Sequence, residues 1–340
     1  MEISRQGKHT LLFQNQPSVA AYASIAGRKE AEGPLRSTFD VVSQDTHFGE
    51  STWEKAEIKM QKTVLQLALQ KANLKPQELD AAFVGDLLNQ CIGSSFSMRN
   101  NGIPTFGLYG ACSTMAEGLV LAAMAVSGGF CRRTITVSSS HFASSERQYR
   151  FPLGYGGQRT PTAQWTATGA GAVILSRTGN GPYLQNATVG TIVDKGITDA
   201  NNMGAAMAPA AYETLKTHFE DMGSSPEDYD LIVTGDLGKL GAEIVRELFK
   251  KDGVTLGTRY NDCGVMLYDC QKQDVHCGGS GCGCSASVLC GSLLGQMERG
   301  QLKRLLFCGT GAMLSPLSTQ QGESVPAVCH AVSICTERSE

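Results

Sequence analysis

The apolar positions of residues 53–72 recur at helical spacing, which predicts one long amphipathic helix that ends before Pro76. A nearly continuous apolar run follows at residues 79–88, the pattern of a buried strand with its exit turn. The preceding residues 27–50 have no period and scatter charges around a Gly-Pro pair. They predict an irregular arm that lies over the surface of the domain.

A tight turn with Cys112 at its centre is the feature around which the rest of the chain is organised. Residues 104–109 predict a short strand before it, and apolar positions in residues 115–127 predict a helix after it. Thr114 and Glu117 have the spacing of a capping box, which predicts that the helix begins there. Cys112 is therefore expected in a strand-to-helix elbow.

Three roles are open for a thiol at this elbow. Unpaired backbone N–H groups and the positive end of the helix dipole favour a thiolate, so Cys112 could act as a nucleophile. The same geometry attracts a bound carboxylate or phosphate even when the sulfur does not react. The third role is a small buried side chain that only fills space under a helix.

An internal repeat divides the chain into two halves, 1–178 and 179–340. Five residues recur at an offset of 150 positions, and the helical segments before them match as well. The repeated residues are Pro76, Asp80, Gly85, Asp86 and Leu87 in the first half and Pro226, Asp230, Gly235, Asp236 and Leu237 in the second. Each half is thus a helix–strand–elbow–helix–strand unit of α/β type.

The second half has no cysteine at its elbow. By position, the place of Cys112 falls in the Gly-rich stretch 278–281, so the two elbows together predict one asymmetric pocket. The repeated Asp86 and Asp236 are interpreted as caps of equivalent turns, because a paired acid and base would require them to meet across the pocket.

Composition excludes several classes of function. With 41% hydrophobic residues, 18% charged residues and a formal charge of −3, the 340-residue chain is globular and is not expected to bind nucleic acid. No signal peptide and no transmembrane run is apparent, so the 12 cysteines predict reduced thiols rather than a disulfide framework. The cysteines of residues 263–290 lack a CxxC pair, which disfavours a metal site.

A family resemblance rests on these halves and on long specific motifs. The cysteine elbow in a duplicated α/β chain resembles the thiolase and β-ketoacyl-synthase superfamily. Within it, the chain resembles the stage V sporulation protein AD family over nearly its whole length. The motifs are residues 110–114, 138–152, 155–158, 196–199, 203–211 and 278–282.

The resemblance implies a thiolase-like αβαβα fold and a homodimer formed through the first half. It also implies a protein that binds dipicolinic acid and its calcium chelate for uptake into the developing spore. Its partners would be integral membrane proteins of the dipicolinate channel, which would place it peripherally on the cytoplasmic face of the inner spore membrane. No cofactor is implied, and calcium would arrive only with the ligand, since no acidic loop with calcium spacing is present.

The chain departs from the enzymes of the superfamily in its second half. Those enzymes pair the cysteine with His and His, or with His and Asn, which move protons and hold the thioester oxygen. Here residues 235–238 offer neither, and His276 stands one residue short of the expected spacing. The sequence therefore predicts a pocket without condensing activity. An active acyltransferase that uses Cys112, or a membrane-complex scaffold with a vestigial pocket, are the alternatives.

Dipicolinate is a flat doubly negative aromatic, so its site requires cationic forks or helix N-termini and an apolar wall. In the superfamily the segment after Ser140 covers the cysteine, and here it contains several arginines among aromatic residues. The alternative for each arginine is a solvated charge. His141 is also compatible with a hydrogen-bonded turn. The predicted ligand-binding residues are Cys112, His141, Arg147, Arg150, Arg159 and His276, with none assigned a catalytic role.

Overall fold

The protein is described here by a computed structural model that covers residues 4–149 and 158–338. The strands are β1 Arg5–Gln6, β2 Thr10–Leu12, β3 Ser18–Ala26, β4 Val41–Val42, β5 Ala81–Gly85, β6 Thr105–Leu108, β7 Arg133–Ser140, β8 Trp165–Thr166, β9 Gly169–Ser176, β10 Tyr183–Val189, β11 Leu231–Thr234, β12 Tyr260–Asp262, β13 Gly279–Ser280, β14 Arg304–Ala312 and β15 Ala327–Cys335. The helices are α1 Trp53–Ala72, α2 Ile92–Met98, α3 Thr114–Ser127, α4 Phe142–Tyr149, α5 Met203–Met222, α6 Gly238–Lys251, α7 Cys263–Leu267, α8 Cys282–Val288, α9 Leu294–Glu298 and α10 Pro316–Gln320.

The long helix expected at residues 53–72 is confirmed as α1. Thr52 caps it by accepting a hydrogen bond from the Lys55 N–H at 3.3 Å, and Asn73 ends it in the left-handed conformation. Its repeat α5 has the same length and begins 150 residues later. Gly223 ends α5 in the same left-handed conformation.

The two halves contribute the same strand order to one mixed sheet. From one edge to the other the order is β12, β11, β14, β15, β10, β3, β9, β7, β5 and β6. The halves join in the middle, where Tyr183 of β10 pairs with Ser18 of β3. On each side of this junction two antiparallel pairings are followed by two parallel ones.

Helix α3 lies between the strands of the two halves, because it contacts β5 and β7 on one side and β14 and β15 on the other. The opposite faces of the strands are covered by α1 in the first half and by α5 in the second. The five layers of the predicted α/β fold are therefore confirmed, and the two strand layers are the two halves of one mixed sheet. Since both faces of most strands are covered, β7, β9 and β14 are almost entirely buried.

The duplication extends to individual contacts. The Asp80 carboxylate accepts hydrogen bonds from the N–H groups of Arg132 and Arg133 at 2.6 and 3.0 Å. Asp230, its repeat, accepts from the N–H groups of Lys303 and Arg304 at 2.7 and 3.0 Å. Each aspartate thus ties the start of one strand to the start of its neighbour in the same way.

The arm at residues 27–50 is more closely attached than the sequence suggests. It contains β4, which pairs with β3, and it buries Phe39 and Phe48 in the core. In the part of the chain that is described, no helix combines the length and the apolar character needed to cross a membrane.

Candidate functional site

The elbow predicted around Cys112 is present. Strand β6 ends at Leu108, a single 3₁₀ turn covers Ala111–Ser113, and α3 begins directly at Thr114. Ala111 has a positive φ of 50°, which turns the chain sharply enough to place Cys112 under the start of the helix. The strand-to-helix prediction is confirmed.

The predicted capping box is wrong. Ser113 precedes the helix with helical backbone angles and makes no side-chain cap. Thr114 Oγ1 instead donates to the Ala111 carbonyl at 2.7 Å. Glu117 is left with one buried carboxylate oxygen that has no partner, and burial raises the pKa of this carboxyl. The reason is that the 3₁₀ turn feeds directly into the helix, so no extended residue remains to act as a cap.

The expected thiolate is also not supported. Burial raises the pKa of the Cys112 thiol well above its usual value, and the carboxyl of Asp236 and the thiol of Cys282 add to this effect. The helix dipole acts on an accessible thiol, whereas this side chain is only 5% exposed. The protonated thiol is therefore the stable form.

The second elbow faces the first, as the repeat predicts. Ser280 Oγ lies 4.0 Å from Cys112 Sγ. Behind it, the Asp236 carboxylate accepts hydrogen bonds from Ser280 Oγ at 3.2 Å, Gly281 N at 2.9 Å and Thr310 Oγ1 at 2.8 Å. Burial raises the pKa of the Asp236 carboxyl, and the hydrogen bonds that it accepts oppose this shift.

A pocket of about 340 Å³ opens above Cys112 and is called the Cys112 pocket below. Its walls are formed by Leu87, Asn89, Tyr109, Ala111, Cys112, Ser145, Glu146, Tyr149, Thr166, Met203, Ser280 and residues 312–316. Among these described residues are two aromatic rings, one carboxyl group and no Lys, Arg or His. The pocket is thus suited to a flat ring rather than to an exposed anion.

The two tyrosines of this pocket are tied to each other and to the turn after β5. The Tyr109 and Tyr149 hydroxyls lie 3.0 Å apart, and Tyr149 also donates to the Leu87 carbonyl. On the neighbouring wall, Thr166 Oγ1 donates to Glu146 at 2.7 Å. Fixed aromatic and hydroxyl groups of this kind bind and orient a ligand without reacting with it.

Two of the residues predicted to bind ligand lie away from the Cys112 pocket. His141 is a buried turn residue with Nε2 2.8 Å from the Thr46 carbonyl and Nδ1 accepting from Ala143 N. Burial lowers its pKa, so it is neutral. Arg147 forms an ion pair with Glu54 beside the Trp53 ring. Neither side chain lines the Cys112 pocket.

Arg159 and His276 share a carboxylate outside the Cys112 pocket. Arg159 Nη2 lies 3.0 Å from Asp274 Oδ1, and His276 Nε2 lies 3.3 Å from the same oxygen. Arg150 falls outside the described residues. Of the predicted set that can be placed, Cys112 is the one member that lines its pocket.

Sequence reasoning missed Asp236 and Thr166 as site residues. Asp236 was interpreted as a turn cap because it repeats Asp86, and nothing in the repeat indicates that its partners come from the other elbow. For Thr166 a signal was available, since neighbouring residues on a strand point to opposite faces and Thr166 directly follows an aromatic residue of the expected wall, Trp165. Among the described residues no group of His, Cys, Asp and Glu could hold a metal ion.

The sequence is similar to that of one known protein family over almost its whole length. The sequence profile of the family described as stage V sporulation protein AD (SpoVAD) matches residues 7–335. A stage V sporulation protein AD from Bacillus subtilis (strain 168) is 43% identical over 326 residues, covering 96% of each chain.

Solved structures show the same fold at low sequence identity. An OleA variant from Xanthomonas campestris has a TM-score of 0.64 at 16% identity, covering 98% of this chain and all of that one. The 3-oxoacyl-[acyl-carrier-protein] synthase III of Aquifex aeolicus VF5 has a TM-score of 0.58 at 15% identity, covering 94% and 99% of the two chains. With a thiolase-like fold and a family match along almost its whole length, this chain belongs to the stage V sporulation protein AD family.

Proposed function

We propose that this protein binds dipicolinic acid and its calcium chelate in the Cys112 pocket, for uptake into the developing spore, and that it condenses no acyl groups. Family membership supports a role in sporulation. The observation that carries the proposal is the burial of Cys112 next to the buried Asp236 carboxyl, since both raise the pKa of the thiol. The pocket is retained while the means of activating a nucleophile is absent from its described walls.

The described lining residues of the Cys112 pocket favour the calcium chelate over the free dipicolinate dianion. A free dipicolinate dianion placed beside Glu146 meets a carboxyl group and no cationic side chain among the described lining residues. The one-to-one chelate is neutral and keeps the flat ring that Tyr109 and Tyr149 can flank. Calcium is therefore expected to increase the affinity while contributing no protein-bound site of its own.

A second copy of the chain is the proposed partner at the free edge of the sheet. Strand β6 is the outermost strand, and Phe106 on it is 58% exposed. Tyr109 and Ile92 nearby are 48% and 40% exposed. An unpaired edge with large apolar side chains is stabilised when another strand pairs with it. We also propose that the protein docks to integral membrane proteins on the cytoplasmic face of the inner spore membrane.

Calorimetric titration with dipicolinate, with and without calcium, tests the binding. The parent protein should bind the chelate more tightly than the free acid. Cys112→Phe fills the pocket and should weaken binding by at least about 100-fold, whereas the small Cys112→Ser should retain it within a few fold. Circular dichroism confirms that both variants are folded.

Two results would overturn this assignment. Unchanged affinity in a folded Cys112→Phe variant would place the ligand elsewhere, and no binding by the parent would favour a scaffold with a vestigial pocket. If Cys112→Phe does not fold, alkylation of Cys112 in the parent should still be slowed by ligand. Steady turnover of acetyl- or malonyl-thioesters that is lost in Cys112→Ser would instead show an active acyltransferase.

A further inference from the structure

The cationic residues that the sequence assigned to a ligand surround a second pocket, on the far side of α4 and β8 from Cys112. This indole pocket has a volume of about 320 Å³. It is lined by Gly27, Arg28, Lys29, Glu30, Thr46, Trp53, His141, Phe142, Ala143, Trp165 and Thr168. Arg147 lies over Trp53 and Arg159 over Trp165, so both arginines belong to its surroundings.

Strand β8 and helix α4 each contribute residues to both pockets. On β8, Trp165 lines the indole pocket and Thr166 lines the Cys112 pocket. On α4, Phe142 lies on the first side and Glu146 on the second. Since the two linings share no residue, each pocket can be changed without direct alteration of the other.

Aromatic rings form the floor of the indole pocket. Phe142 and Trp165 are stacked, with ring centroids 3.8 Å apart and an interplanar angle of 13°. Trp53 contributes a second indole to the lining. A flat apolar ring among these side chains would be removed from water on most of its surface.

Lys29 supplies a free positive charge at this floor. Its Nζ lies 3.7 Å from the centroid of Trp165, and among the described residues no carboxylate forms an ion pair with it. The Arg159 guanidinium approaches the same ring at 4.8 Å, and its Nη1 is buried without a hydrogen-bond partner. Burial and the nearby Arg159 lower the pKa of Lys29, which is the effect that a bound anion would reverse.

Each of the acids near Lys29 has another partner. Glu32 pairs with Arg28, and Asp274 pairs with Arg159. Glu30 is fully buried and accepts hydrogen bonds from Tyr268 Oη at 2.5 Å and Thr168 N at 3.0 Å. Burial raises the pKa of the Glu30 carboxyl, and these hydrogen bonds oppose the shift.

We infer that the indole pocket is a second binding site, for a planar aromatic carboxylate whose carboxylate meets Lys29 and whose ring lies among Trp53, Phe142 and Trp165. A charge-assisted hydrogen bond to the unpaired ammonium gives the anion a partner, and the aromatic walls select a flat ring over a flexible chain. This inference does not depend on the Cys112 pocket binding any ligand.

Tryptophan fluorescence isolates this site, because the chain has 2 tryptophans and both line the indole pocket. Dipicolinate is used as the probe without calcium, and glutarate, which has two carboxylates and no ring, is the control ligand. Dipicolinate should change the fluorescence in a saturable way, and glutarate should not. Excitation at the red edge of indole absorption limits absorption by the probe.

Matched variants complete the test. Lys29→Met should raise the midpoint of the fluorescence titration roughly tenfold or more, since the charge-assisted contact is lost. Arg36→Met, an exposed charge on the same arm that does not line the pocket, should leave the midpoint unchanged, and so should Cys112→Phe. The inference is overturned if dipicolinate has no effect on the parent, or if Lys29→Met responds as the parent does. A response that disappears only in Cys112→Phe would assign the signal to the Cys112 pocket.

Discussion

Asp86 and Asp236 occupy the same position in the two halves, yet they hold different parts of the molecule together. Asp86 accepts hydrogen bonds from Leu88 N at 2.8 Å, and from Ser94 N and Ser94 Oγ at 2.7 and 2.6 Å. All of these donors lie within the next eight residues of its own loop. Asp236 accepts instead from the second elbow and from β14.

A third carboxylate explains the difference. In the second half, the turn after β11 is held by Asp262, which accepts from Leu237 N at 2.8 Å and Gly238 N at 2.9 Å. Asp236 is thereby released from its own turn and can face the pocket. The comparison shows that the role of a repeated residue in a duplicated chain depends on which hydrogen-bond donors its neighbours leave unpaired.

Replacement of Asp86 should have the largest effect on stability. Asp86→Asn loses the oxygen that accepts from both Ser94 donors, leaving buried polar groups unpaired, and should lower the free energy of unfolding by about 3 kcal/mol. Chemical denaturation measures this change. The rate of Cys112 alkylation should stay at the parent value; an altered rate would mean that Asp86 also acts on the pocket.

The glycines that precede these two aspartates show a second difference between the halves, in how closely each is packed. A Cβ at Gly85 would lie 2.4 Å from the Leu108 carbonyl oxygen, whereas one at Gly235 would lie 3.0 Å from its nearest neighbour, Thr310 N. Gly85→Ala should therefore cost about 2–3 kcal/mol of unfolding free energy and Gly235→Ala about 1 kcal/mol. Equal losses in thermal or chemical denaturation would contradict the closer packing of the first elbow.

Replacement of Asp236 should affect the thiol more than the fold. Asp236→Asn removes a buried carboxyl that raises the pKa of Cys112, while burial of the sulfur remains. The pKa should therefore fall, and the larger thiolate fraction should make iodoacetamide labelling several-fold faster at mildly alkaline pH. Mass spectrometry of the Cys112 peptide gives the rate. Asp86→Asn is the matched control, and equal acceleration in both variants would indicate general loosening.

The smallest expected effect comes from a histidine of the second half that has no histidine at the equivalent position of the first half. His218 of α5 stands 150 residues after Ala68 of α1, and its ring is hydrogen-bonded to Thr188 Oγ1 at 2.7 Å and Tyr229 Oη at 2.6 Å. Burial lowers its pKa to about 4. The folded state therefore favours the neutral ring, and this stability is complete above the unfolded pKa and declines as the pH falls towards the folded one.

Between about pH 7.5 and 5.5, the unfolding free energy of the parent should consequently fall by about 1 kcal/mol more than that of His218→Gln. Urea denaturation at the two pH values measures both. His330, also buried with its pKa lowered to about 4, is present in parent and variant and cancels in the difference. Parallel pH profiles would mean that His218 does not titrate on folding.

The sequence by itself determined the duplicated α/β architecture, the elbow and the bounds of the main helices. Helical spacing and a fixed offset of 150 residues are local properties of the chain, so they could be recognised without knowledge of its packing. The pairing of Cys112 with the Gly-rich second elbow followed from the same repeat. The absence of His and Asn from residues 235–238 likewise needed only inspection of the sequence.

Only the tertiary structure decided the chemistry of the site. The ionisation of Cys112 depends on burial and on Asp236, which is 124 positions away in the chain. The arginines after Ser140 were expected over the cysteine, but Arg147 pairs with Glu54 and Arg159 pairs with Asp274, both outside the Cys112 pocket. A periodic pattern records which residues are buried, whereas charge state and pocket membership depend on neighbours that the fold brings from the other half.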